Sequence, residues 1–158
     1  MLEKTGDIEF RRARPADLPA LVELLANDPL GREREAPETP LPLTYHDAFK
    51  AIDADPNQFL VAVVEAGRIV GTLQLTFIPG LSRKGAWRGQ IEAVRIAGDR
   101  RRAGLGQLVF EWAFAECRRR GCELVQLTTD KGRPDAHRFY ERLGFHASHL
   151  GYKLQISR

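Results

Sequence analysis

Sulfur is scarce in this sequence: 158 residues carry two cysteines and one methionine. Cys117 and Cys122 lack the spacing of a zinc site or of a CxxC redox pair. They read as two small hydrophobes near a helix end, kept reduced in a cytosolic chain. No His/Cys/Asp cluster has metal-ligand spacing, so no metal centre is expected. Long apolar runs are also missing. The stretch Phe59-Leu-Val-Ala-Val-Val64 is among the longest, whereas a membrane span needs about 20 apolar residues. The chain opens Met1-Leu2-Glu3-Lys4-Thr5-Gly6-Asp7, with no apolar signal segment. These absences lead us to expect a cytoplasmic protein without membrane association. Repeats and low-complexity tracts are absent too. Lysine is rare: arginine supplies 19 of the 24 basic residues, for a net charge of +3. Such a balance suits a polyanionic partner of any kind and does not choose among them.

What is present is ordinary globular material. Hydrophobic residues make up 43% and charged residues 28%, which excludes intrinsic disorder of the whole chain. The length is that of one domain, 1–158, with one sizeable core. Residues 8–13 alternate as a strand. Pro15-Ala16-Asp17 opens a helix to about Ala26. Residues 28–43, rich in Pro and Glu, read as a mobile loop. A second helix follows over 44–54. Residues 58–65 and 68–77, joined by Ala66-Gly67, form a hairpin. Another strand covers 87–97. Leu105, Leu108, Val109, Trp112, Ala113 and Cys117 recur at helical spacing over 104–120. A buried strand at 124–128, a helix at 134–143 and closing strands at 145–149 and 151–156 complete the order. The fold class is therefore α/β (α+β). We expect a mixed, mostly antiparallel central sheet of six or seven strands, flanked by about four helices.

The segment Arg101-Arg102-Ala103-Gly104-Leu105-Gly106 sits between a strand and a helix. Amides at a helix start lack intrahelical partners and lie at the positive end of the dipole. Glycine at 104 and 106 keeps side chains out of the approach, and Arg100, Arg101 and Arg102 add charge. This pattern predicts a diphosphate site. It is not a Walker loop, which needs Gly-Lys-Ser/Thr, nor the dinucleotide fingerprint.

Arg101-x-x-Gly104-x-Gly106 resembles the [Arg/Gln]-x-x-Gly-x-[Gly/Ala] signature of the GNAT (GCN5-related N-acetyltransferase) superfamily. Downstream, Ala136-His-Arg-Phe139-Tyr140-Glu-Arg-Leu143-Gly144-Phe145 resembles its second signature, Ala-x-x-Phe-Tyr-x-x-x-Gly-Phe. The two stand in the right order, and the element order matches the GNAT fold over most of the chain, least over 14–57. The resemblance implies acetyl-CoA as cosubstrate, with its pyrophosphate on the amides of Arg101, Arg102, Ala103, Gly104, Leu105 and Gly106. It implies a pantetheine arm along strand 91–97, touching the main chain at Val94 and Ile96. The family often has Asn where this chain has Arg133, so Arg133 either binds phosphate or faces solvent.

Amine acetylation requires loss of an ammonium proton and protonation of the departing thiolate. Glu92, a carboxylate on the apolar strand Ile91-Glu92-Ala93-Val94, is similar in position to the general base of polyamine-acetylating GNAT members. Strand alternation puts it on the side of Val94 and Ile96. Its alternative role is as ion-pair partner to Arg88, Arg95 or another structural cation. Tyr140 matches the family's general acid. A phenol of pKa about 10 donates to a thiolate whose thiol has pKa about 8.5, modestly uphill. Glu33, Glu35 and Glu38 have the charge for a cationic acceptor, although a solvated loop is the simpler account. The histidines form no nucleophile triad.

The acceptor is expected to be a primary amine of a small molecule or peptide, attacking acetyl-CoA directly in a ternary complex. One rival is a non-catalytic acyl-CoA-binding or regulatory module on the same fold. A nucleic-acid-binding protein is disfavoured. The Arg100–Arg102 and Arg118–Arg120 clusters lie about 25 Å apart along one helix, with no interleaved aromatics. GNAT proteins are often dimers, which implies a homodimer by analogy alone.

Overall fold

The structure, a computed structural model, describes residues 3–101 and 104–157. Six strands lie in the order β1-β2-β3-β4-β5-β6. They are β1 (Glu3–Thr5), β2 (Ile8–Arg12), β3 (Gln58–Glu65), β4 (Arg68–Pro79), β5 (Trp87–Ile96) and β6 (Cys122–Leu127). Neighbours from β1 to β5 are antiparallel, and β6 runs parallel to β5. A parallel neighbour needs a crossover, supplied here by α4 (Leu105–Arg119). The other helices are α1 (Leu18–Ala26), α2 (Leu43–Ala54), α5 (Pro134–Arg142) and α3 (Ser82–Gly85). The last is a single turn with Arg83 and Lys84 in left-handed backbone.

The sheet separates two layers. On one face α4 buries Val109, Phe110, Trp112 and Ala113 against β2–β5. Phe10 of β2 stacks on Trp112 at 5.1 Å, and Phe59 of β3 meets it edge-on at 5.5 Å. On the other face α1 and α2 cover the outer half with Leu18, Leu21 and Phe49. Arg11 holds the carboxylate of Asp17 through two bonds of 2.6 and 3.0 Å, and the Arg14 amide adds a third at 2.7 Å. This clamp fixes the entry to α1 beneath the sheet. Gly89 is where β5 comes closest to α4: a Cβ there would stand 2.4 Å from Cys117 Sγ.

The expected elements form with small shifts at their ends, and two expectations need correction. The closing strands at 145–149 and 151–156 do not form. Residues 146–157 are exposed and lie in no strand. The sixth strand is instead β1, a short arm hairpinned onto β2, whose three residues are too few to alternate visibly. The loop 28–42 is also tethered rather than loose. The Tyr45 hydroxyl donates to Glu35 at 2.7 Å and accepts from the Ala36 amide at 2.9 Å.

Candidate active site

β5 and β6 pair only from Trp87↔Cys122 to Ile91↔Leu127. Beyond Ile91, β5 stays attached to β4 as far as Ile96↔Gly71, but its other edge has no strand partner among the described residues. The two parallel strands splay apart there, and a polar chain can add along the open edge as a strand does. The opening leads to the start of α4. Gly104 caps that helix at φ +76°, left-handed backbone that favours glycine, and none of the described residues lies within 4 Å of where a Cβ would sit. A Cβ on Gly106 would stand 3.5 Å from the Phe139 ring of α5. The start of α4 and the aromatic helix are thus in contact at Gly106, where an added methyl would meet the ring at an ordinary van der Waals distance. Arg102 and Ala103, between these points, lie outside the described residues.

The charge around the helix start differs from expectation. Arg100 is committed to Glu65 at 2.5 Å. Arg101 donates to the carbonyls of Ile96 (3.2 Å) and Asn27 (2.9 Å), bolting the loop to β5 and to the end of α1. Neither guanidinium is free, so at these two residues an incoming anion meets backbone amides and the helix dipole. The Val94 carbonyl likewise accepts from Arg95 Nη1 at 2.9 Å. Both main-chain positions expected to face the cosubstrate therefore already hold an arginine donor in the free protein.

Glu92 and Val94 do not share a face. Between Thr72↔Arg95 and Gln74↔Glu92, β4 advances two residues and β5 three. The extra residue is Ala93, at φ +52°, a β-bulge that resets the alternation. Ile91 and Val94 consequently both line one small internal void, with Leu73, Val109, Phe110 and Ala113 beneath α4. Glu92 projects to the opposite, α1 face and is exposed. Its suggested ion-pair role is not realised: no cation lies within ion-pair distance among the described residues. Arg95 turns instead to Asp28, at 3.5 Å.

Asp28 is buried and also meets Arg133 Nη2 at 3.4 Å. Arg133, at the N-cap of α5, is exposed while its guanidinium reaches this carboxylate. Burial lowers the Arg95 pKa; Asp28 opposes that, and Arg133 adds to it. The Arg95–Asp28–Arg133 bridge escaped sequence reading because its two pairings span 67 and 105 residues. Also missed was a polar row on the α1 face. Gln58, Thr76, Gln90 and Gln126 are register neighbours across β3 to β6. Thr76 Oγ1 donates to Gln58 (2.9 Å) and Gln126 to Gln90 (2.7 Å). Alternating polar residues in 74–76 and 90–92 were the available signal.

Tyr140 is half-buried among Phe110 (5.7 Å), Phe139 (5.7 Å) and Phe145 (6.1 Å). Burial raises its pKa above the ordinary phenol value, and the charges of Arg133 and Arg95 pull the other way. Its hydroxyl has no protein hydrogen bond among the described residues. His137 is satisfied by the Asp130 carbonyl at 2.8 Å. Among the described residues, no group of three or more His, Cys, Asp or Glu is placed to hold a metal ion. No helix there is long and apolar enough to cross a membrane.

The sequence profile of the acetyltransferase (GNAT) family matches residues 18–145. The chain belongs to the GNAT family. It is an acyltransferase, and the family uses acetyl-CoA. Aminoalkylphosphonate N-acetyltransferase of Salmonella typhimurium is 33% identical over 108 residues, covering 68% of this chain and 70% of that protein. Glucosamine 6-phosphate N-acetyltransferase of Trypanosoma brucei brucei is 32% identical over 155 residues, covering 95% and 97%. A solved structure from Bacillus halodurans C-125, named a transcriptional regulator, superposes with a TM-score of 0.91 at 48% identity, covering 94% of this chain and 99% of that one. The open β5 edge and the unobstructed helix start at Gly104 fit a slender, phosphate-bearing cosubstrate such as acetyl-CoA.

Proposed function

We propose that this GNAT protein transfers the acetyl group of acetyl-CoA to a primary amine of a small molecule or peptide, by direct attack in a ternary complex. Acetyl-CoA supplies the activated acyl carbon. Glu92 takes a proton from the ammonium, directly or through water. Tyr140 gives its proton to the departing sulfur as the C–N bond forms and the C–S bond breaks. The amides of Arg101–Gly106, Arg102 and Ala103 among them, hold the pyrophosphate. Val94 and Ile96 offer main-chain contacts to the pantetheine arm, and Arg133 borders it. The observation that carries this reading is the meeting of three features at one place: the unpaired edge of β5, the open start of α4, and α5 bearing Tyr140 against Gly106 through Phe139.

Two observations support a narrower acceptor class. Two relatives bear the names of acetyltransferases for an aminoalkylphosphonate and for glucosamine 6-phosphate, both amines that carry a phosphorus oxyanion. In this chain the guanidinium groups of Arg95 and Arg133 both reach the Asp28 carboxylate, at 3.5 and 3.4 Å, beside the open edge of β5. We therefore place small amines bearing a phosphonate or phosphate first among candidate acceptors. The test is CoA release from acetyl-CoA with a panel of 2-aminoethylphosphonate, glucosamine 6-phosphate, glucosamine, polyamines and peptides. Turnover of phospho-amines above their neutral counterparts supports the narrower reading. Turnover of other amines alone removes it and leaves N-acetyl transfer standing.

The rival, a non-catalytic regulatory module, is favoured by one observation, the name of the Bacillus halodurans protein. It predicts acyl-CoA binding with no CoA release from any amine.

A further inference from the structure

The bulge at Ala93 brings two side chains of opposite charge onto one face of the sheet. On β4, Thr72 and Gln74 stand two residues apart and so point to the same side. Their partners on β5 are Arg95 and Glu92, and cross-strand partners share a face. In an unbroken strand, residues three apart would point to opposite faces. The extra residue, Ala93 at φ +52°, turns Arg95 to the α1 face beside Glu92. About two strand steps, roughly 7 Å of backbone, separate the pair. They do not bond to each other, since the Arg95 guanidinium turns to Asp28. A molecule that carries both an ammonium and an oxyanion can span them.

Arg95 is also an incomplete ion pair. Arg11 and Asp17 form a complete one in this protein, with both carboxylate oxygens engaged at 2.6 and 3.0 Å. Arg95 reaches Asp28 with Nη2 alone, at 3.5 Å, while Nη1 donates to the Val94 carbonyl. Its Nε is buried and has no hydrogen-bond partner among the described residues, a state that buried donors seldom keep. The underfilled edge is therefore Nε–Nη2, the side-on fork with which a guanidinium grips an oxyanion. Arg133 approaches the same carboxylate from α5, at 3.4 Å. A phosphonate or phosphate monoester brings three oxygens where this carboxylate brings two. We infer that Arg95 is the specificity-determining residue for the acceptor, binding the phosphonate or phosphate of an amine whose nitrogen lies at Glu92. Arg133 reaches the same group from α5, and Asp28 is the counter-ion of both arginines in the free protein. The inference rests on the phospho-amine reading above and adds the residue that enforces it.

The test compares matched acceptors in the full chain: 2-aminoethylphosphonate against ethanolamine, and glucosamine 6-phosphate against glucosamine. Wild-type kcat/KM should favour the phosphorus-bearing member of at least one pair. Arg95→Gln should lower that preference about 10- to 100-fold, as expected for loss of a hydrogen bond between charged groups. The loss should appear in the KM of the phospho-amine, with the kcat/KM of the neutral amine and the calorimetric CoA affinity unchanged. Arg95→Lys keeps the charge without the fork and should lower the preference by a smaller factor. Full preference in both variants overturns the assignment and leaves the phospho-amine reading standing. A wild type without preference removes that reading and the inference with it. Equal losses for both members of a pair, or a loss of CoA affinity, overturn the assignment in favour of a structural role or a cosubstrate contact. Should Arg95→Gln fail to fold, Arg95→Lys decides by itself.

Discussion

At the scale of single residues, Tyr140 and Asp17 show how environment sets a proton's behaviour. Burial raises the Tyr140 pKa, and Arg133 and Arg95 hold the rise back. The phenol is therefore protonated across neutral pH, and activity that needs its proton falls only on the alkaline side. Removing a neighbouring cation lets the pKa climb, so Arg133→Ala should move the alkaline limb of kcat to higher pH. Tyr140→Phe should abolish that limb and lower kcat about 100-fold, the low end for general acid catalysis, with CoA affinity unchanged. Stopped-flow rates from pH 7 to 11 and calorimetric CoA titration measure these effects. Asp17 runs the other way. The Arg11 hydrogen bonds hold its carboxyl below the ordinary value, despite burial. Its contribution to stability is full above the unfolded-state value of about 4 and disappears as pH falls through the lower folded-state value. Asp17→Asn should cost about 2 kcal/mol at pH 7, a gap from wild type that urea melts should find narrowing toward pH 3.

At the scale of elements, the site depends on where β5 is held and where it is released. Against α4 it is held at Gly89, so Gly89→Ala should cost roughly 1–3 kcal/mol by overpacking. Adding Cys117→Ala, which removes the sulfur 2.4 Å from the new methyl, should recover much of that loss. A double-mutant cycle of denaturant midpoints measures the coupling. At the start of α4, Gly104→Glu forces a charged side chain onto left-handed backbone in the open approach, and calorimetry should find CoA binding abolished. Much of this layer was legible. Helical spacing gave α4, the Pro15-Ala16-Asp17 start gave α1, and the Ala66-Gly67 turn gave the hairpin. Two signatures around Gly104 and Tyr140 pointed to one site before the fold brought their helices together at Gly106 and Phe139. The bulge at Ala93 was not legible, since alanine at positive φ leaves no mark in composition. Its loss reversed the side assigned to Glu92 relative to Val94. Arg101 misled in a similar way: its charge suggested an anion ligand, whereas its guanidinium is consumed by the carbonyls of Ile96 and Asn27.

At the scale of the molecule, the two sheet faces have separate tasks. The α4 face is apolar and carries the core. The α1 face changes, toward β5 and β6, into the row of Gln58, Thr76, Gln90 and Gln126 with Glu92 beyond it. The sheet thus presents an apolar side to its helix and a polar side where an acceptor amine would lie next to the carboxylate. The patterning at 150–156 is strand-like. Residues 150–156 pair with no strand among the described residues, and so the predicted closing pair did not appear.

The central claim is that this chain moves an acetyl group from CoA to an amine using Glu92 and Tyr140. The direct measurement is single-turnover CoA release by wild type, Glu92→Gln and Tyr140→Phe with the best amine of the panel. We predict release by wild type and at least a tenfold slower rate in each variant, with CoA affinity preserved. Release by all three at one rate would contradict the assigned roles, and tight acetyl-CoA binding with no release from any amine would contradict catalysis itself.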